Sequence, residues 1–280
     1  MRQYLTLVRL FWQQLVRRKS LWIVVAVAGV VLLISIAVQS QLKDMLAEGV
    51  RYDIATRQAA ASLDSYVDQV RQGGAILVVL VAALVAPPSR KDGTTQFVLT
   101  LSVSRLRLAV AQFGALSVFI FLGTLVVHVG YMVTAHRLGL LRPSEALLAW
   151  FFLFVPLLLL AAASFSLSLT RPALLVYAIL LGVPQILLPL LGAFVGSWET
   201  GVPELARLTA GRTIDNVGLL FPNLPQLIIW PRISLPMPER PPFPAWGLEG
   251  LHAVAAAAFW VVAGLWAYRR FDFGSRLPTK

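Results

Sequence analysis

Cysteine is absent from the 280 residues, and charged residues make up only 13% of them, about half the share usual in soluble domains. The first absence excludes disulfides, thiolate metal sites and cysteine nucleophiles. The second excludes an ordinary solvated surface around a single core. Also missing are a G-x-x-x-x-G-K-[ST] phosphate loop, an H-E-x-x-H pair and a serine-nucleophile motif. No catalytic residue is therefore assigned, and the chain is not expected to be an enzyme. His128, His136 and His252 stand far apart in sequence, so no metal site is expected. The expected spans also contain few acidic or basic residues of the kind that mark ion-coupled carriers.

What is present is apolar: 58% of residues are hydrophobic and the mean hydropathy is +0.76. The net charge of +11 does not point to nucleic acid, because the basic residues sit in short segments between apolar runs. The composition predicts an all-α integral membrane protein. Five uncharged runs are long enough to cross about 30 Å of hydrocarbon at 1.5 Å per residue, and a sixth, Gly73 to Ala86, is short.

Charge decides whether that sixth run spans. With six spans, the segments on the N-terminal side hold fourteen Lys and Arg against two acids, Asp92 and Asp272, while the other side holds ten basic and eleven acidic residues. This asymmetry is the one expected for a cytoplasmic N-terminus. The reading is then a cytoplasmic helix at 1–19, spans at 20–39, 66–86, 108–134, 146–169, 172–196 and 250–268, external loops at 40–65 and 197–249, a cytoplasmic segment at 87–107 and a cytoplasmic tail at 269–280. The second span is expected to belong to a helix beginning near Ser62 and stopped by Pro87 and Pro88. The first span, with its long basic lead and no small-x-small cleavage site, is expected to be an anchor and not a cleaved leader.

Three segments stand out. In residues 2–17, Leu5, Val8, Trp12 and Leu15 form an apolar stripe flanked by Tyr4, Phe11 and Val16, with Arg9 and Arg17 on the polar side; this predicts an amphipathic helix in the cytoplasmic interface. In residues 87–107, Asp92 is placed to cap a short helix bearing an apolar ridge of Phe97, Val98 and Leu101. A ridge that small needs another protein or the lipid interface to bury it. In the fifth span, Pro184 and Pro189 predict a kinked or interrupted helix around Gln185, and Gly192-x-x-x-Gly196 offers a close-approach face for a dimer or a pathway wall. The proline-rich half of 197–249 has two open readings, a cap or docking site for an external partner and a plain tether.

This order of features resembles the type-two ABC transporter permeases. Arg2 to Arg18 is similar to that family's elbow helix. Asp92-Gly93-Thr94, Phe97 to Leu101 and Ser104-Arg105 are similar to its cytoplasmic coupling helix, and Tyr268-Arg269-Arg270-Phe271 to its exit from the last span. The sequence departs from the family's pattern in having Ser89 and Arg90 where a glutamate often precedes the Gly-Thr pair, and Val103 where a proline often precedes Ser-Arg. The resemblance implies a permease subunit in a bacterial inner membrane, both termini cytoplasmic, working as a homodimer or with a sister permease. It implies no cofactor on this chain, with ATP and Mg held by a separate ABC ATP-binding subunit. Coupling then falls to Asp92, Gly93, Thr94, Phe97, Leu101, Ser104 and Arg105, the elbow to Arg9, Trp12 and Arg17, and the dimer or pathway face to Pro184, Gln185, Gly192 and Gly196. The alternative is a membrane scaffold or mechanotransmission subunit acting on an external partner without moving a substrate.

Overall fold

The computed structural model describes residues 2–17, 21–91, 104–139, 143–197, 204–221 and 243–270, and all their regular structure is helical. The elements are α1 (Arg2–Arg17), α2 (Leu21–Ala47), α3 (Tyr52–Lys91), α4 (Arg105–Arg137), α5 (Pro143–Ser168), α6 (Ala173–Tyr177), a π-helical segment (Ala178–Leu187), α7 (Leu188–Gly196), α8 (Glu204–Gly218) and α9 (Phe243–Arg270). Among the described residues, three stretches are long and apolar enough to cross a membrane: Leu106–Arg137, Ala173–Val195 and Gly250–Arg270. Gly73–Leu84 and Leu153–Ser168 are shorter apolar helices. Length and apolarity together make this a membrane protein.

Helix lengths correct the expected boundaries. Most of the segment read as a loop at 40–65 is helix, because α2 continues to Ala47 and α3 starts at Tyr52, not near Ser62. The turn between them uses Gly49 at φ +81, and the Val50 N–H bonds the Met45 carbonyl at 3.0 Å. This is a left-handed C-terminal cap, which glycine adopts without a Cβ penalty. Nor do Pro87 and Pro88 stop α3, which runs on to Lys91. Proline's fixed φ is already helical, so α3 continues even though the pair removes two N–H donors and crowds the Ala83 and Leu84 carbonyls.

The chain forms two compact units, and each has its own packing logic. The first comprises Met1–Ala75, Gly114–Leu158 and Leu224–Gly250. Here Ile34, Val38, Leu42 and Met45 line one face of α2, at spacings of three and four, against Ala59 and Leu63 of α3 and Tyr131, Met132 and Leu138 of α4. Phe121, Trp150 and Phe154 cluster between α4 and α5. The Phe121 and Trp150 rings meet edge-on at 5.1 Å, and Trp150 stacks on Phe154 at 5.2 Å.

A long-range polar contact is buried in the first unit. The Tyr131 hydroxyl donates to Asp64 Oδ1 at 3.0 Å, with Asp64 only 6% exposed and Tyr131 only 7%. A carboxyl taken from water depends on such donors. Tyr131→Phe is expected to lower stability by about 1–3 kcal/mol, read as a fall in the melting temperature of the detergent-purified protein with its helix content unchanged.

The second unit comprises Ile76–Phe113, Leu159–Asn223 and Leu251–Lys280, and small residues set its spacing. Ser164 and Ser168 of α5 lie on one helical face and are fully buried. Ser164 donates to the Val79 carbonyl at 3.0 Å, and Ser168 lies 3.4 Å from that of Ala82, both on α3. Buried Ala82 and Ala83 admit the close approach. On its other side α5 meets α9 at Gly264, where an added Cβ would fall 2.6 Å from the Ser166 carbonyl oxygen. Small residues that let helix backbones touch, with hydroxyls bonded across the gap, are how helices associate where lipid removes the hydrophobic driving force.

Candidate functional site

Of the residues assigned to coupling, Asp92, Gly93, Thr94, Phe97 and Leu101 lie outside the described residues. Ser104 is the N-cap of α4: its Oγ accepts from the Arg107 N–H at 3.3 Å, and its carbonyl accepts from Leu108 at 3.0 Å. Arg105 is the first residue of that helix.

The helix at residues 2–17 is present, with Arg9 exposed and Trp12 half-buried, and it ends at Arg17. Val8 and Trp12 of the expected stripe are both partly covered. Phe11, read as a flank, is the most buried residue described in α1, at 4% exposure, with Leu7 and Val8 partly covered beside it. Among the described side chains of α1, the covered face thus takes in Phe11 together with Leu7, Val8 and Trp12.

The second unit contains the third candidate group. The interruption expected around Pro184 and Gln185 takes the form of a π-helix over Ala178–Leu187, and at its end the Leu188 N–H bonds the Val183 carbonyl, five residues back. The wider turn accommodates a proline that has no N–H to give, and π segments recur at functional sites. Pro189 follows as the second residue of α7, and because the helix runs on directly from the π segment, its missing N–H leaves a further carbonyl there without a helical donor. Gly192 and Gly196 lie on α7, and Gly192 is exposed. A Cβ at Gly192 would meet nothing within 4 Å, whereas one at Gly264 would meet the Ser166 backbone.

Helix α8 folds back along α7. Gly192 and Val195 line a shallow groove of about 420 Å³ with Leu208, Gly211, Arg212, Ile214 and Asp215 of α8. Farther along, an added Cβ on Gly218 would sit 3.9 Å from Leu188 Cδ1. The end of α8 is then fastened to α9. His252 Nε2 lies 2.7 Å from the Leu219 carbonyl oxygen, and the Trp260 indole donates to the Leu220 carbonyl at 2.8 Å. Phe221, 7% exposed, packs on the Trp260 ring at 5.8 Å. These bonds occupy carbonyls that a helix leaves unpaired at its C-terminus.

Sequence alone did not disclose the bonds from His252 and Trp260 to the end of α8. The available signal was Trp260: an indole N–H in the middle of an apolar run usually finds an acceptor. No group able to hold a metal ion is found among the described residues.

No family model, no curated protein and no solved structure matches the chain.

Proposed function

We propose that this chain is the permease subunit of a type-two ABC transporter in a bacterial inner membrane, with six spans and both termini in the cytoplasm. It pairs with a second copy or a sister permease, and a separate ATP-binding subunit carrying ATP and Mg drives it. The observation that supports this reading best is the order of features. Amphipathic α1 leads into α2, the Asp92-Gly93-Thr94 to Ser104-Arg105 segment joins α3 to α4, and a proline-broken fifth span precedes the long excursion back to α9. Large apolar side chains left exposed on α6 to α7 (Leu174, Ile186, Leu190, Phe194) and on α9 (Leu251, Phe259, Val262, Trp266) suit lipid and a partner permease.

ATP-driven motion enters at 92–105 and α1 and reaches the π-broken helix, which opens or closes a central path. Co-isolation of the tagged chain from its native membrane is expected to recover an ATP-binding subunit. Phe97→Ala or Arg105→Ala should weaken that association by roughly 2 kcal/mol, about thirtyfold, as truncation of an interface anchor does. Unchanged assembly and unchanged coupled ATPase activity in both variants would refute the assignment. Stimulation of ATPase activity by a cargo in liposomes separates a transporter from a scaffold that uses the same ATPase.

A further inference from the structure

One side of α9 is apolar and open. Leu251, Ala255, Ala258, Val262 and Trp266 recur at spacings of three and four and are all exposed. Ala253, Ala256, Ala257 and Gly264 are buried, and Gly264 is where the helix meets Ser166. On the exposed side Ala255, Ala258 and Ala263, with Phe259, Val262 and Trp266, line a groove of about 430 Å³. The alanines give it depth beside the larger side chains.

The groove ends in positive charge. Arg269 and Arg270 are both exposed, and they are the only Lys, Arg, Asp or Glu residues between Glu249 and Asp272. The Arg270 guanidinium lies over the Trp266 ring, 4.1 Å from its centroid. A guanidinium held on a ring by its flat face keeps its N–H donors in plane, the fork that phosphate accepts. Charge also decides between occupants. A second copy related by a two-fold axis along α9 would set both arginines against the same pair of its partner, and like charges brought together oppose an interface. An anionic phospholipid brings the opposite charge to the same level. Along the helix axis Trp266 is about 6 Å from Arg270, and the groove runs about 10 Å farther to Phe259, a depth matched by the about 15 Å of hydrocarbon in one leaflet.

We propose that this groove binds an anionic phospholipid of the cytoplasmic leaflet, with its phosphate on Arg269 and Arg270 and one acyl chain along Trp266, Ala263, Val262 and Phe259. This rests on reading Gly250–Arg270 as the last of six spans, ending in the cytoplasm. Basic residues at the cytoplasmic end of a span attract anionic headgroups. Here the groove adds a place for the chain, so the lipid is held as a ligand and not only as solvent.

The test is native mass spectrometry of the full chain released from nanodiscs that hold phosphatidylglycerol and phosphatidylcholine in equal amounts. The parent should keep phosphatidylglycerol adducts in preference to phosphatidylcholine. Arg269→Gln combined with Arg270→Gln should weaken phosphatidylglycerol binding by roughly thirtyfold, the joint effect of two basic residues at a membrane surface, and erase the preference. Ala263→Trp, which fills the groove, should lose most of the adducts with both arginines in place; Ala258→Trp, at an exposed position, serves if that variant does not fold. Equal retention by the arginine variant overturns the proposal, because charge then plays no part. Unchanged retention by the groove-filling variant overturns it too, because the headgroup then binds without the groove. A parent dimer that the groove-filling variant splits while its lipid stays makes this side a seam between copies, and is equally fatal. Failure of the span reading shows separately: Arg270→Cys, in a chain with no natural cysteine, would react with an impermeant thiol reagent from outside sealed right-side-out vesicles, placing the site in the wrong leaflet.

Discussion

Gly264→Leu is expected to prevent α5 and α9 from closing. A Cβ at this position lies 2.6 Å from the Ser166 carbonyl oxygen and 2.7 Å from Ser166 Cβ, so the obstruction is mainly backbone and cannot rotate away. Ser166 sits between Ser164 and Ser168 on a helix already tied to the Val79 carbonyl, which leaves α5 little freedom to retreat. Overpacking a closed contact costs about 1–3 kcal/mol, occasionally more, and the full leucine side chain should reach the top of that range. The measurement is the melting temperature of the purified chain, with Gly264→Ala as the graded comparison and Gly192→Leu as the control. Gly192 has open space around it, so its leucine variant should melt within about 0.5 kcal/mol of the parent, as substitutions away from packed features do.

The contrast between those glycines explains what the sequence disclosed. Gly192-x-x-x-Gly196 is visible as a pattern, whereas Gly264 stands alone in an apolar run and gains its meaning only from the backbone of a helix a hundred residues away. Long apolar runs, the amphipathic periodicity of residues 2–17 and the breaking of the fifth span around Pro184 are local properties, and the local physics behind them holds in the folded chain. Helix ends were less legible. Pro87 and Pro88 look like a stop, because each loses a donor and crowds the carbonyl four residues back, but proline's dihedral is compatible with a helix and α3 continues through both. The mixed polar stretch at 40–65 looks like a loop, yet Leu42 and Met45 of α2 with Ala59 and Leu63 of α3 form a buried seam, and that burial carries helix well past the length a bilayer requires.

Asp64 carries the same lesson for polar groups. Nothing beside it in sequence distinguishes it from Asp68, four residues on. Its role depends on Tyr131, which reaches it from α4. In a membrane protein few charges are available, so the fate of each is decided by which donor tertiary packing delivers.

The second large effect is expected at the end of α8. His252→Ala removes the partner of the Leu219 carbonyl, and Trp260→Phe removes the donor to the Leu220 carbonyl while keeping a ring for Phe221 to pack on. Each bond alone should be worth roughly 0.6–1.7 kcal/mol, the range of polar contacts between membrane helices. The two act on adjacent carbonyls of one turn, so their effects should couple. With either intact, α8 stays seated and the other carbonyl remains near its partner; with both gone, two carbonyls are left without their partners and the helix end is free to lift. The double variant should therefore lose more than the singles combined, by about 0.5–3 kcal/mol in a double-mutant cycle. Amide hydrogen exchange across 208–221 should rise most in the double variant, while the seam of α2 and α3 around Val38 and Leu63 stays protected. Strict additivity, with no rise in exchange confined to α8, would show that α8 is held by its groove with α7 and not by α9.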